Sequence, residues 1–247
     1  MVRRIWVLSL LAMLFAPPGM AQSAAKPVDP ATIQALKDLG AHLQTLKRFT
    51  VYSDATGEKV LASGQKLQHS AMVDMAVDRP NKVHVAMATA RNRSELIYDG
   101  KTVTLNMPAQ KAYSTFGFSG SLVELAKRLD ENYGVEIPLS DLFVWGTPEA
   151  PVDKIESAMN AGQDFIGKDL CDHYAFRQGK IDWEIWVTTG TKPLPRKIVI
   201  NNLADEARPQ STHVLAWNLK PTFDASVFNT TPPTGATKVE FVPLKTK

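Results

Sequence analysis

The chain has 247 residues, 44% of them hydrophobic, with 28 Lys and Arg against 25 Asp and Glu and a formal net charge of +3. No block of basic residues argues for a nucleic-acid partner. The only cysteine, Cys171, cannot form an internal disulfide, so stability has to come from a hydrophobic core, which this length can supply.

The first residues have the three parts of a secretory signal peptide. Arg3 and Arg4 give a positive start, residues 5–16 form an uncharged apolar run, and Gly19 and Ala21 are the small residues a signal peptidase needs. The run is shorter than the about 20 residues a membrane-spanning helix requires, and Pro17 and Pro18 end it. Cleavage is expected after Ala21, leaving residues 22–247 as a nearly neutral mature chain without a stable membrane anchor. Compactness of the signal fits a bacterial, periplasmic destination. Lipid attachment at a new N-terminal cysteine is excluded, because none lies near the cut.

Asp29 and Pro30 read as a helix start, since Asp caps and Pro suits the first turn. Ile33, Leu36, Leu39, Leu43 and Leu46 recur at helical spacing, which predicts an amphipathic helix over 30–48 despite Gly40. From Phe49 the pattern changes to short runs rich in Val, Met, Tyr and Thr. These predict strands over 50–53, 65–77, 82–88, 95–98, 102–107 and 112–115. Asp99-Gly100 marks a hairpin turn, because both residues tolerate positive φ. Residues 119–159 read as helical. Ser121 and Glu124 have capping-box spacing, Leu122, Leu125, Ala126, Leu129 and Tyr133 form one apolar stripe, and Gly134 ends it. Val152, Ile155 and Met159 suggest a last short helix. Strands then resume from Gln163, over 169–178, 181–188, 196–201 and 212–218, with an extended tail over 232–241.

The layout is helix, strand meander, helical insert, strand meander, with neither repeat nor low-complexity linker. It predicts one mainly antiparallel β domain with helices (α+β) over 22–247. About ten strands in one sheet must curl or close, and the apolar faces of the insert need burial, for which the concave side of the sheet is the available place.

Four segments carry a family resemblance. They are Tyr98-Asp99-Gly100-Lys101-Thr102-Val103-Thr104-Leu105 with Tyr113; the run from Tyr133 to Leu142; Cys171-Asp172-His173-Tyr174-Ala175-Phe176-Arg177 with the following Asp182 to Val187 and Lys192 to Lys197; and Pro232-Pro233-Thr234-Gly235-Ala236. Over about residues 30–241 the chain resembles a family of predicted periplasmic proteins known only as a domain of unknown function. That resemblance implies a fold like the lipoprotein-localisation carriers: an unclosed, strongly curved β half-barrel, with an N-terminal helix and a helical insert covering its concave face. The fold serves lipoprotein carriers, lipid binders and an envelope-stress sensor domain, so it implies a hydrophobic ligand or an envelope partner without choosing between them. No residue motif of the carriers recurs here, and none of their functional residues is carried over.

Alternate strand positions supply the pocket candidates: Tyr174, Phe176, Trp183, Ile185, Val187, Ile198 and Ile200, with Leu142, Phe143 and Trp145 of the insert as a lid. For any one of them ordinary core is the simpler reading, and only their number on so large a sheet points to a pocket. Arg177 and Arg196 are candidates for an anionic head group, or for pairing with Asp182 or Glu184. Cys171 and His173 share a strand face, but further metal-ligand spacing is missing, and a buried free thiol is the simpler expectation. Asp182 and Glu184 also share a face, as a glycosidic pair would, or as a solvated strand side does. No hydrolase, phosphate-loop or dinucleotide motif occurs. The expectation is a non-enzymatic protein with no cofactor and no metal. It would bind a lipid or acylated ligand as a carrier or chaperone, or alternatively capture another envelope protein as a sensor.

Overall fold

A computed structural model describes residues 28–242. The signal peptide expected over 1–21 and its cleavage after Ala21 lie outside the described residues.

The chain opens with α1 (Pro30–Thr45), where the Asp29 carboxylate accepts from the backbone N–H groups of Ala31 and Thr32 at 3.2 and 3.1 Å. The helix stops three residues before the expected end, because Arg48 already pairs with Asp78 in the sheet. The first meander then runs through β1 (Arg48–Val60), β2 (Lys66–Asp78), β3 (Lys82–Ala88), β4 (Arg93–Tyr98), β5 (Thr102–Met107) and β6 (Ala112–Gly117). Asp99 and Gly100 make the expected turn: Gly100 has φ 98°, and the Asp99 carboxylate accepts from the N–H groups of Lys101 and Thr102. The insert contains α2 (Leu122–Tyr133) and the single turn α3 (Asp141–Val144). The second meander is β7 (Ser157–Ile166), β8 (Asp169–Gln178), β9 (Ile181–Thr188), β10 (Pro195–Asn202) and β11 (Gln210–Asn218). A two-residue β12 (Thr237–Lys238) closes the described chain.

All twelve strands join one unclosed sheet, in the order β12-β6-β5-β4-β3-β2-β1-β11-β10-β9-β8-β7. Its ladders are antiparallel except β12 on β6. The expected class, mainly antiparallel β with helices on one side of an open half-barrel, therefore holds. Because β1 pairs with β11, the two meanders meet in the middle, and β6 and β7 lie at opposite ends of the series. The insert between them must cross the inner face from one end to the other.

Side chains alternate between faces along each strand. Phe49, Val51, Val73, Met75, Val77, Val83, Tyr98 and Val103 point inward and are fully buried against Leu39 and Leu43 of α1 and Leu122, Leu125 and Leu129 of α2. The capping box at Ser121 and Glu124 is formed, and Gly134 ends α2 in the left-handed conformation. Tyr98 anchors the start of α2: its hydroxyl donates to the Gly120 carbonyl at 2.8 Å and accepts from the Gly120 N–H at 3.0 Å.

One expected helix does not form. Val152, Ile155 and Met159 do not share a helix: residues Val152–Lys154 form only a 3-10 turn, and Met159 lies in β7, 49% exposed. The sheet takes this segment instead: Glu156 donates its backbone N–H to the Arg177 carbonyl at 2.8 Å, and from Ser157 on the chain pairs with β8.

Candidate ligand cleft

On β9 and β10, Ile185 pairs with Ile198 and Trp183 with Ile200, so one inward row holds Trp183, Ile198 and Ile200, with Ile181 beside it. Opposite stand Leu36 of α1 and the segment that follows α2. Between them lies an apolar cleft of about 80 Å³, or about 550 Å³ when the open mouth is counted. Val144, Trp145, Pro151, Val152 and Ile155 complete its apolar wall. Trp183 is sandwiched there, 4.1 Å between ring centroids from Phe176 and 6.0 Å from Trp145, both nearly parallel. Its indole N–H is buried and has no hydrogen-bond partner among the described residues.

A second hollow, of about 330 Å³, adjoins the first and shares Leu36, Trp145 and Val152 with it. Trp145 and Val152 thus form the partition between two spaces.

The wall that carries Trp145 is fastened to α1. Gln44 donates its side-chain N–H to the carbonyls of Phe143 and Trp145, at 3.0 and 2.6 Å. Gly40 and Gly146 touch backbone to backbone, and a Cβ on either would collide with the other's main chain. Gly146 also takes φ 83°, open to glycine at little cost. Arg79 adds a bond to the Leu142 carbonyl at 3.2 Å and lies over the Phe143 ring.

Asp141 is the one charged group in the cleft wall. Its side chain reaches solvent, yet protein surrounds it on most sides, as expected of a group inside a concave surface. Loss of hydration pushes its pKa up. Its own backbone N–H opposes that, and the negative charge of Glu136 adds to it. The other polar side chain, Gln178, donates to the Pro151 carbonyl at 3.0 Å.

Of the ten pocket candidates, the structure brings Trp145, Trp183, Ile198 and Ile200 to the cleft. Leu142 and Phe143 are fully buried core beneath the pinned carbonyls, and Ile185, Val187, Phe176 and Tyr174 also pack into the core of the inner face away from the cleft lining. The expected lid of Leu142, Phe143 and Trp145 is therefore corrected to a fixed wall: all three are fastened at their carbonyls, Leu142 and Phe143 are core, and Trp145 lines the cleft with Val152. Asp141, Leu36, Val144, Val152, Ile155 and Ile181 were missed. The apolar character of the insert signalled only Val144, Val152 and Ile155; Leu36 of α1, Ile181 of β9 and Asp141 gave no sign of lining a space, because their convergence depends on how the insert crosses the sheet.

Neither arginine reaches this space. On the outer face Arg177 binds Asp182 in a two-pronged pair at 2.7 and 2.8 Å, and this hydrogen bonding holds the Asp182 carboxyl below its usual range. Arg196 pairs with Asp169 at 3.0 Å, displaced to that side by a register shift between Pro195 and Lys197. The bulge was not legible from alternation, which places Arg196 inward with Ile198. Glu184 is bound by His173 at 2.7 Å, so the two carboxylates of β9 have separate partners. His173 also stacks on Trp186 at 3.9 Å, with Lys197 on Trp186 at 4.3 Å. Cys171 is a buried free thiol packed near Trp186 and Val199, and burial pushes its pKa up. Among the described residues no three His, Cys, Asp or Glu side chains form a metal-holding group. No helix there is long and apolar enough to cross a membrane.

An open half-barrel with its helices on the inner side, and a cleft beside them, defines the class. The chain belongs to the family described as predicted periplasmic protein (DUF2092), which it matches over residues 32–242. No curated protein matches it. Among solved structures it is similar to the Mycobacterium tuberculosis lipoprotein LppX, at 12% identity and TM-score 0.47 over 79% of this chain and 100% of that one. LprF from Mycobacterium bovis is similar at 13% identity and TM-score 0.44, over 85% and 100% of the two chains. A LolA superfamily protein from Nitrosomonas europaea is similar at 10% identity and TM-score 0.36, over 80% and 97%.

Proposed function

We propose that this protein is a periplasmic carrier or chaperone that binds a lipid or acylated molecule through its apolar part, without catalysing a reaction on it. The observation that carries this reading is the solvent-open apolar cleft between β9–β10 and the insert, with Trp145 stacked on Trp183 at its wall. Catalysis would need converging titratable groups, and the cleft wall holds one carboxylate. Each methylene buried contributes about 0.8 kcal/mol, so a chain of modest length binds measurably. At about 80 Å³ the cleft accepts only the first part of such a chain. The remainder of a longer chain lies along the open mouth of the cleft.

Native mass spectrometry of the mature protein, purified gently from its own periplasm and followed by solvent extraction, tests this. A stoichiometric bound lipid or acylated molecule is expected, with its loss in Ile200→Asp, which puts a charge in the cleft and whose Tm controls for folding. A bare protein mass that takes up no offered lipid overturns the proposal.

A second reading, capture of an envelope protein, is favoured by β7 alone. This strand ends the sheet, and Phe165 on it is 72% exposed beside the half-exposed Leu170. A partner's strand could extend the sheet there. Cross-linking at Phe165 in the native envelope separates this reading from ligand binding.

A further inference from the structure

The cleft wall is apolar except at its mouth, and what stands there bears on the head group of the ligand. The inference drawn from it rests on the ligand-binding reading above. Asp141 is the sole charged side chain of the lining. Its carboxylate forms no ion pair and accepts no hydrogen bond from any other residue among those described. The charge that acts on it is Glu136, of the same sign. Arg79 is spent on the Leu142 carbonyl and the Phe143 ring, and Lys37 lies in the adjoining hollow rather than in the cleft. The second unpartnered polar group, the buried indole N–H of Trp183, is a donor and does nothing to offset a carboxylate's charge unless it touches it.

An apolar ligand entering this cleft removes water from Asp141. Stripping an ionised carboxylate of water without a partner is strongly unfavourable, and an anionic head placed beside it adds like-charge repulsion. An ammonium at the end of the same chain reverses both effects: it replaces the lost water with charge-assisted hydrogen bonds and neutralises the site.

We infer that the cleft takes an amphiphile with a cationic head, an ammonium carried on an apolar chain, with Asp141 as the residue that receives it, and that it discriminates against anionic heads.

Three probes of equal chain and different head test this: dodecylamine, dodecanol and dodecanoate, all below their aggregation limits. Binding is read from the tryptophan emission of the mature protein at neutral pH and physiological salt, and by competition among the probes. Dodecylamine is expected to bind about tenfold tighter than dodecanol, a difference of one decade in Kd, with dodecanoate weakest. In Asp141→Asn, whose side chain reaches solvent and whose Tm serves as the control for folding, the amine should lose that advantage while dodecanol binds as before. Equal affinities for the three heads, or an amine preference that survives Asp141→Asn, overturn the inference and leave apolar binding standing. Preference for dodecanoate also overturns it, and moves the head group toward Lys37. If neither dodecanol nor dodecylamine binds, the ligand-binding reading fails and the inference with it.

Discussion

Tyr98 shows how one side chain fixes a large element. Fully buried on the inner face, its hydroxyl both donates to and accepts from the backbone of Gly120, just ahead of the α2 cap. Tyr98→Phe keeps the ring and removes both bonds, leaving the Gly120 groups short of a partner. A loss of about 1–3 kcal/mol is expected in urea unfolding, with an unchanged m value. The histidines act through protons. Burial is the main cause that holds His84 and His213 below their ordinary value of 6.5; for His84 it outweighs the opposing pull of Glu95. The unfolded chain therefore takes up protons as pH falls through 6.5 while the folded chain still resists, and stability is lost from there down to the folded values. His42 has the same sign. Melting followed from pH 7.5 to pH 5 should show Tm falling below about 6.5. The slope should flatten in the His84→Gln/His213→Gln double variant, whatever its Tm at neutral pH. An undiminished slope would place the acid sensitivity in other groups.

At the scale of elements, legibility follows where the stabilising contacts lie. The α2 helix could be read end to end because its signals are local: Ser121 and Glu124 cap it, Gly134 stops it, and the leucine stripe between needs no knowledge of its partner. By contrast β1 was read as four residues and has thirteen. Its second half, Asp54 to Glu58, is polar and includes Gly57, so it reads as a turn. It is held extended by β2 on one side and β11 on the other, with the His69 ring lying over Gly57. The same contrast applies to the cleft. Its β9–β10 half was legible from alternation at Trp183, Ile198 and Ile200, whereas its other half depends on one contact between distant glycines. Gly40 inside α1 looked like a blemish, since alanine at a helix interior is ordinarily better by about 0.5–1 kcal/mol. Here a Cβ would strike the backbone of Gly146. Gly40→Ala is therefore expected to destabilise by about 1–3 kcal/mol, the cost of overpacking, and to push the Trp145 wall outward. Urea unfolding measures the first effect and the emission of Trp145 and Trp183 the second. A more stable Gly40→Ala protein would show that α1 and the insert are not held at this distance in solution.

For the molecule as a whole, the order of strands explains why the inner face is enclosed and the outer face needs a separate cover. The insert, running from β6 to β7, spans the inner side; nothing in the two meanders covers the outer side. That task falls to residues 219–242, of which the sequence marked only 232–241, as an extended segment. On the outer face His84, Ile97, Thr104 and Thr115 form one cross-strand row through β3, β4, β5 and β6. Ile97 is buried there, and Thr104 donates to the Thr230 carbonyl at 3.0 Å. The backbone of Val227 faces His84. Beyond this crossing, the tail reaches the β6 edge, where Thr237 and Val239 donate to the carbonyls of Lys111 and Tyr113 at 2.8 Å. Phe241 then packs against Phe116 and Tyr133, which ties the edge strand to α2. One segment thus covers apolar surface outside, blunts a sheet edge that would otherwise invite another strand, and clamps the insert. A chain ending at Leu219 should lose about 3 kcal/mol, from exposing Ile97 and from the lost hydrogen bonds. It should also associate through β6, which size-exclusion chromatography would detect as a concentration-dependent shift. If the shortened chain stays monomeric and melts as before, the tail is an accessory to a sheet that stands without it. If it associates, and restoring residues 220–242 as a separate peptide reverses this, covering the edge is the tail's structural role.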